Sequence, residues 1–166
     1  DMKRRFKKII QVAIVVDDLD RYLKIFNDEY GIGPWEIYYI NKETTKNMKR
    51  NGKEREFEYK VAMCHLGDVE LELTQPIDDN SIYSEFLKEH GPGLHHIGFE
   101  VDDFDKTLEF LNKKGIVTKQ SGNWRGKMFA HMGTEKDLLF VLEIFKTEKD
   151  YKHPKPEDTY PKEGEK

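Results

Sequence analysis

Residues 96–111 read HIGFEVDDFDKTLEFL, and residues 11–26 read QVAIVVDDLDRYLKIF. Set against each other without a gap, five of the sixteen positions are identical: Val16/Val101, Asp17/Asp102, Asp18/Asp103, Asp20/Asp105 and Leu23/Leu108. Most of the others match in type. Each copy is a short apolar strand, an Asp pair and an amphipathic helix. The Asp carboxylates suit a first helical turn, where they accept from free N–H groups and complement the helix dipole. Leu19, Tyr22, Leu23 and Phe26 share one helical face, as do Phe104, Leu108 and Leu111.

The likeness extends past the helices. The first copy is followed by strand patterns at 35–40, 56–66 and 68–75, the second by strand patterns at 116–121, 127–132 and 138–145. Both halves therefore read β-α-β-β-β, and a duplication of this kind constrains the whole fold. The expected fold class is α+β. Two tandem βαβββ modules (1–78 and 94–146) form curved, mixed and mainly antiparallel sheets around a cleft, as one structural domain. A linker helix within 79–93 joins them. The polar segment 41–54 reads as an insertion between strands, and its basic stretch 46–50 as a solvated loop. Residues 147–166, charged and proline-bearing, read as a flexible tail or one lying over the surface.

Composition narrows the function classes. A net charge of -4 gives no chain-wide basic field for nucleic acid or an anionic membrane. No apolar run approaches the roughly 20 residues that span a bilayer. The basic start DMKRRFKKIIQ passes directly into a strand pattern, without a signal-peptide core. The single cysteine, Cys64, permits no intrachain disulfide and no Cys-based zinc site. A cytoplasmic protein is expected.

Strand alternation then selects the cleft residues. Val12, Ile14 and Val16 should pack under the first helix, and Ile97, Phe99 and Val101 under the second. Gln11 and His96 then point into the cleft, each followed by a small residue, Ala13 or Gly98, and His95 points away. In the last strand of each half, Leu71 and Leu73 face the core and Glu72 the cleft, while Leu142 and Ile144 face the core and Glu143 the cleft. Glu143 is a lone carboxylate in an apolar run, and burial of such a group demands a partner. Gln11, Glu72, His96 and Glu143 thus occupy symmetry-equivalent places. Three oxygen donors and one imidazole suit a divalent ion such as Co²⁺, Mn²⁺, Ni²⁺ or Zn²⁺.

Each residue alone has a plainer reading. A strand His is more often a hydrogen-bonded structural residue, and Glu72 could sit on a solvated face beside Glu70. His65, His90, His131 and His153 are scattered and read as non-ligands. GIGPW (31–35) and GPGL (91–94) are turns rather than phosphate loops. The coincidence of four polar residues at equivalent places is what favours a metal.

Over residues 8–146 the chain resembles the vicinal oxygen chelate superfamily. Residues 67–116, with a Glu-bearing strand, a Pro turn, a helix and a Gly-x-His-His-Ile strand in order, resemble methylmalonyl-CoA epimerases. The resemblance implies metal ligation by the same four residues, Gln11, Glu72, His96 and Glu143, although the family usually has His at the Gln11 place. It implies epimerisation of an acyl-CoA by alpha-proton abstraction, through an enolate stabilised by the metal. Glu143 is the expected base, and a second proton-transfer group is expected near Glu58 and Lys60. It also implies a homodimer with a small-molecule acyl-CoA substrate and no nucleic-acid or membrane partner. The alternatives are a lactoylglutathione lyase of glyoxalase I type, slightly favoured by Gln11, and a metal-free ligand-binding module. An extradiol dioxygenase is least favoured, since its iron site wants two His and one carboxylate.

Overall fold

A computed structural model describes residues 4–165. The repeat takes the form its caps dictate. Strand β1 (Phe6–Val15) runs into Asp18, whose carboxylate accepts from Arg21 N at 3.2 Å and starts α1 (Leu19–Lys24). This helix widens into a π turn over Ile25–Glu29. In the second copy β7 (Gly93–Val101) runs into Asp103, which accepts from Lys106 N at 3.0 Å and starts α3 (Phe104–Lys113).

The first module continues with β2 (Trp35–Ile40), β5 (Tyr59–Leu66) and β6 (Val69–Pro76), the second with β8 (Thr118–Trp124), β9 (Lys127–Met132) and β10 (Val141–Thr147). Between them lies α2 (Ile82–His90), capped by Ser81 and by Gln120 Oε1, which accepts from Ile82 N at 3.0 Å. A short helix α4 (Glu135–Leu138) precedes β10. Strands β1 and β7 pair antiparallel at the centre, and each is flanked by the parallel last strand of its own module. The segment 41–54 supplies β3 (Thr45–Arg50) and β4 (Lys53–Glu54), and β11 (Asp158–Tyr160) closes the chain. The result is one large, curved, unclosed sheet in a mixed α+β fold, in the order β11-β2-β5-β6-β1-β7-β10-β9-β8-β3-β4.

Two apolar clusters lie on the convex side, one per module. Leu19 and Leu23 of α1 cluster with Trp35 and Leu73, and Leu111 of α3 clusters with Leu142 and Ile144. A third cluster fills the concave side, where Tyr38, Tyr59 and Val61 of the first module meet Trp124 and Phe129 of the second and Ile82 and Tyr83 of α2. Among the described residues no helix is long and apolar enough to cross a membrane.

The stretch 46–50 is therefore not the solvated loop its charge suggested. Strand β3 crosses to the far edge of the second module to pair with β8. Asn47 has a φ of 54° and sits in a break of register between Lys46 and Lys49. This bulge turns Thr45, Met48 and Arg50 inward while Lys46 and Lys49 stay in solvent. Arg50, 4% exposed, bonds the carbonyls of Lys119 and Asn80 and the Glu85 carboxylate. The chain after Thr147 runs back over the first module, and β11 pairs with β2.

Candidate functional site

The central strands gather the polar residues of the cleft. Gln11 on β1 is opposite Glu70 of β6 and Gly98 of β7; Ala13 is opposite Glu72 and His96; Glu143 of β10 is opposite Gly98. Gly98 leaves the room they need. A Cβ there would lie 3.0 Å from Gln11 Cβ and 2.7 Å from the Phe145 ring. Gln11, Glu72, His96 and Glu143 are all buried and converge on one nitrogen. His96 Nε2 lies 3.0 Å from Gln11 Oε1, 3.3 Å from Glu72 Oε2 and 3.0 Å from Glu143 Oε2.

His131, read from sequence as a non-ligand, belongs to the same cluster. It sits on β9 opposite Glu143, with Nε2 2.5 Å from Glu143 Oε2 and 3.0 Å from the Tyr83 hydroxyl. Ligand atoms of His96, His131 and Glu143 all lie within 4.8 Å of one another. The repeat concealed it, because the residue opposite Glu72 in the first module is Met63. The signal available was alternation in β9, which puts Phe129 and His131 on the concave face.

His95 also departs from expectation. Between the pairs Ala13/His96 and Ile14/Leu94 the register slips by one residue, so His95 is the extra residue of a bulge on β7. Alternation fails there. His95 is buried, and its Nδ1 lies 2.9 Å from Nδ1 of His96.

Glu58 and Lys60 are not brought to the cluster. Tyr59, Val61 and Met63 line the cavity beside Gln11 and Glu143, so the intervening Lys60 is on the opposite face, its ammonium 5.7 Å from the Tyr39 ring. Glu58 lies before β5 in an outer depression with Asn41, Lys42 and Asp78. The titratable groups beside the cluster are instead Glu70, Tyr59 and Tyr83. Tyr59 and Tyr83 pack edge to face at 4.7 Å between centroids. Burial, with the charges of Glu72 and Glu143, holds both phenols well above their ordinary range, so they are neutral donors.

Electrostatics bind the cluster together. Burial opposes charge on His96, but the adjacent Glu143 and Glu72 carboxylates more than offset it and raise its pKa to about 9. Burial likewise opposes charge on Glu143, yet His131 and His96 hold it well below the ordinary carboxylate range. Burial and Glu72 raise Glu70.

The donors fit a divalent ion. Glu143 Oε2 lies at contact distance from two imidazole nitrogens, yet makes no hydrogen bond of acceptable geometry. Two carboxylates, an amide oxygen and two imidazole nitrogens crowd around one point, and the Glu143 oxygen between the two rings is left without an aligned donor. Such a set suits a borderline ion of the Co²⁺, Mn²⁺, Ni²⁺ or Zn²⁺ kind.

Curved paired βαβββ modules with buried His and Glu donors at their junction define a class, and the chain belongs to it: the family model for the Glyoxalase/Bleomycin resistance protein/Dioxygenase superfamily matches residues 10–131. Among curated relatives, YqjC of Bacillus subtilis is 31% identical over 80 residues, 48% of this chain and 51% of that protein. The mitochondrial methylmalonyl-CoA epimerase of Mus musculus is 26% identical over 110 residues, 66% of this chain and 54% of that protein. The chain thus spans about half the length of the curated relatives it matches. Solved structures share its fold. Methylmalonyl-CoA epimerase from Mycobacterium tuberculosis has a TM-score of 0.63 at 17% identity, covering 89% of this chain and 92% of that one. A point variant of the Streptomyces coelicolor epimerase, in complex with 2-nitronate-propionyl-CoA, has a TM-score of 0.66 at 19% identity, covering 90% and 99%.

Proposed function

We propose that the chain is a metal-dependent acyl-CoA epimerase of the methylmalonyl-CoA epimerase kind, with one divalent ion held by Gln11, Glu72, His96 and Glu143. The observation that carries the metal is the convergence of these four side chains, from symmetry-related strands, on His96 Nε2. The substrate class rests on the fold shared with methylmalonyl-CoA epimerases.

Epimerisation removes the proton alpha to a thioester carbonyl and returns one to the opposite face. When bound, the ion supplies Lewis-acid stabilisation of the charge that develops on the carbonyl oxygen. Glu143 takes the proton. Its carboxylate is ionised, sits in the cavity lining and is backed by His131, which steadies it by charge. The opposite-face group is drawn from Tyr59, Tyr83 and Lys127, titratable residues of the cavity that do not contact Glu143, because Glu58 and Lys60 lie outside it and His131 sits on the Glu143 side. Apolar walls from Ile40, Val61, Phe129 and Phe145 keep water from the reacting carbon. A lactoylglutathione lyase uses a related proton transfer, and the Gln11 oxygen turned toward His96 is the observation that favours it. The homodimer inferred from the resemblance belongs to the same proposal and is tested by light scattering.

The decisive experiment is metal analysis of protein purified without chelator, paired with alpha-proton exchange on methylmalonyl-CoA in deuterated water. About one ion in the cluster together with exchange supports the epimerase. Metal without exchange turns the reading toward lyase chemistry, and absence of metal after addition of Co²⁺ or Mn²⁺ refutes it.

A further inference from the structure

Two of the histidines set aside in the sequence, His65 and His153, meet Glu36 at the outer end of the cleft. Glu36 on β2 is opposite Met63, and His65 on β5 is opposite Glu70. Alternation puts Glu36 on the same face as Tyr38, and His65 on the same face as Met63. His153 arrives from the segment between β10 and β11. Ligand atoms of Glu36, His65 and His153 all lie within 4.8 Å of one another. Two imidazoles and one carboxylate are a zinc-type donor set.

Two of the three donors are held by a buried hydroxyl. The Tyr38 hydroxyl, on a fully buried ring, bridges Glu36 Oε2 at 2.6 Å and His153 Nε2 at 2.7 Å. Those two donors stand 3.7 Å apart. Metal bonds of about 2.0–2.2 Å in a tetrahedron need donors roughly 3.4 Å apart. A bound ion therefore requires the Glu36–His153 pair to draw about 0.3 Å closer and the exposed His65 ring to turn toward them. Three protein donors leave one position for water.

The same segment spans the cleft from one module to the other. Glu148 N donates to Gly126 O at 2.8 Å, and Asn123 Nδ2 donates to the Glu148 carboxylate, on the β8–β9 hairpin. Further on, Tyr38 donates to Pro154 O, and Tyr39 N to the Glu157 carboxylate, on β2. Between these moorings His153 rests edge-on against both Tyr38 and Trp124, one from each side of the cleft.

We propose that Glu36, His65 and His153 form a second divalent-cation site, of zinc type, whose ion clasps segment 148–157 across the outer end of the cleft. The site goes beyond the epimerase reading and stands without it, sharing no residue with the inner cluster. The test is zinc content per chain after saturation with Zn²⁺ and gel filtration. Wild type, H65A and H153A are compared, with H96A as the variant that disables only the inner cluster. H65A and H153A are expected to hold one ion fewer than wild type, whatever the inner cluster binds. Equal zinc content in wild type, H65A and H153A overturns the site. Hydrogen exchange of residues 148–157 tests the clasp. It is expected to slow at least several-fold with Zn²⁺ relative to chelator in wild type and H96A, but not in H65A. H65A leaves every contact of the segment's own side chains except that with His65. A zinc response retained in H65A overturns the clasp.

Discussion

Gln11 Nε2 donates a 2.6 Å hydrogen bond to Glu70 Oε1, and this contact decides which end of the Gln11 amide faces His96. A carboxylate oxygen only accepts, so the NH₂ turns to Glu70 and the carbonyl oxygen turns into the cluster. Glu70 is therefore the partner that makes Gln11 an oxygen donor. E70A should weaken divalent-ion affinity about tenfold, the lower end of what such supporting contacts contribute. E70Q, which keeps an acceptor oxygen, should recover most of it. Calorimetric titration with Co²⁺ reads both; an E70A affinity equal to wild type would show that Gln11 needs no such support.

Glu143 is asked to do two things, to ligate and to take a proton, and E143Q separates them. The amide keeps an oxygen donor and the side chain's size but has no basic site. Alpha-proton exchange on methylmalonyl-CoA should fall about 10²–10⁴-fold, with a smaller loss of metal affinity. H131A should lower the exchange rate less, because it removes the charge that steadies Glu143 rather than the base. Wild-type exchange in E143Q would remove Glu143 from the proposed role.

The sequence carried what the duplication repeats and hid what it does not. Val101 and Val16, the Asp caps and the alternation of β6 and β10 recur in both copies, so Gln11, Glu72, His96 and Glu143 could be found together. His131 has Met63 as its counterpart, and a search by symmetry passes over it. His95 lies in a bulge, which no period of two anticipates. Residues 45–50 look like a basic loop because three of six are Lys or Arg. Their partner strand is about seventy residues away, and the bulge at Asn47 resets the alternation. Glu36, His65 and His153 come together only because the tail returns to β2, a tertiary event with no local signal.

Arg50 tests that return of the insertion. Its guanidinium satisfies two main-chain carbonyls and one carboxylate from a buried position. R50A leaves the Asn80 carbonyl without this donor, while Lys119 O keeps its bond from Asn51 N, and should cost about 2 kcal/mol of folding stability. R50K, lacking the planar fork, should recover only part. Urea unfolding followed by circular dichroism gives both values. A loss below about 0.5 kcal/mol, the ordinary range for a surface change, would mean that β3 is not anchored through this residue.

The coupled charges of His96 and Glu143 make stability depend on pH in a defined direction. The folded pKa of His96 is raised from 6.5 to about 9. Protein stripped with chelator therefore has the full benefit of this group below pH 6.5, and loses it as pH climbs through about 9. Glu143 is shifted the other way, below its ordinary 4.5, so its benefit is present above that value and fades as pH falls. The two shifts largely describe one interaction, worth on the order of a few kcal/mol. Stripped protein should melt highest between about pH 4.5 and 6.5. A divalent ion needs His96 without its Nε2 proton, so the ion's stabilising effect should grow with pH over the range where the proton's effect disappears. Melting curves in chelator and in Co²⁺, taken from the acid side of this window up through the folded pKa of His96, should therefore diverge most at the alkaline end. Two curves that stay parallel above pH 6.5 would show that ion and proton do not compete for His96.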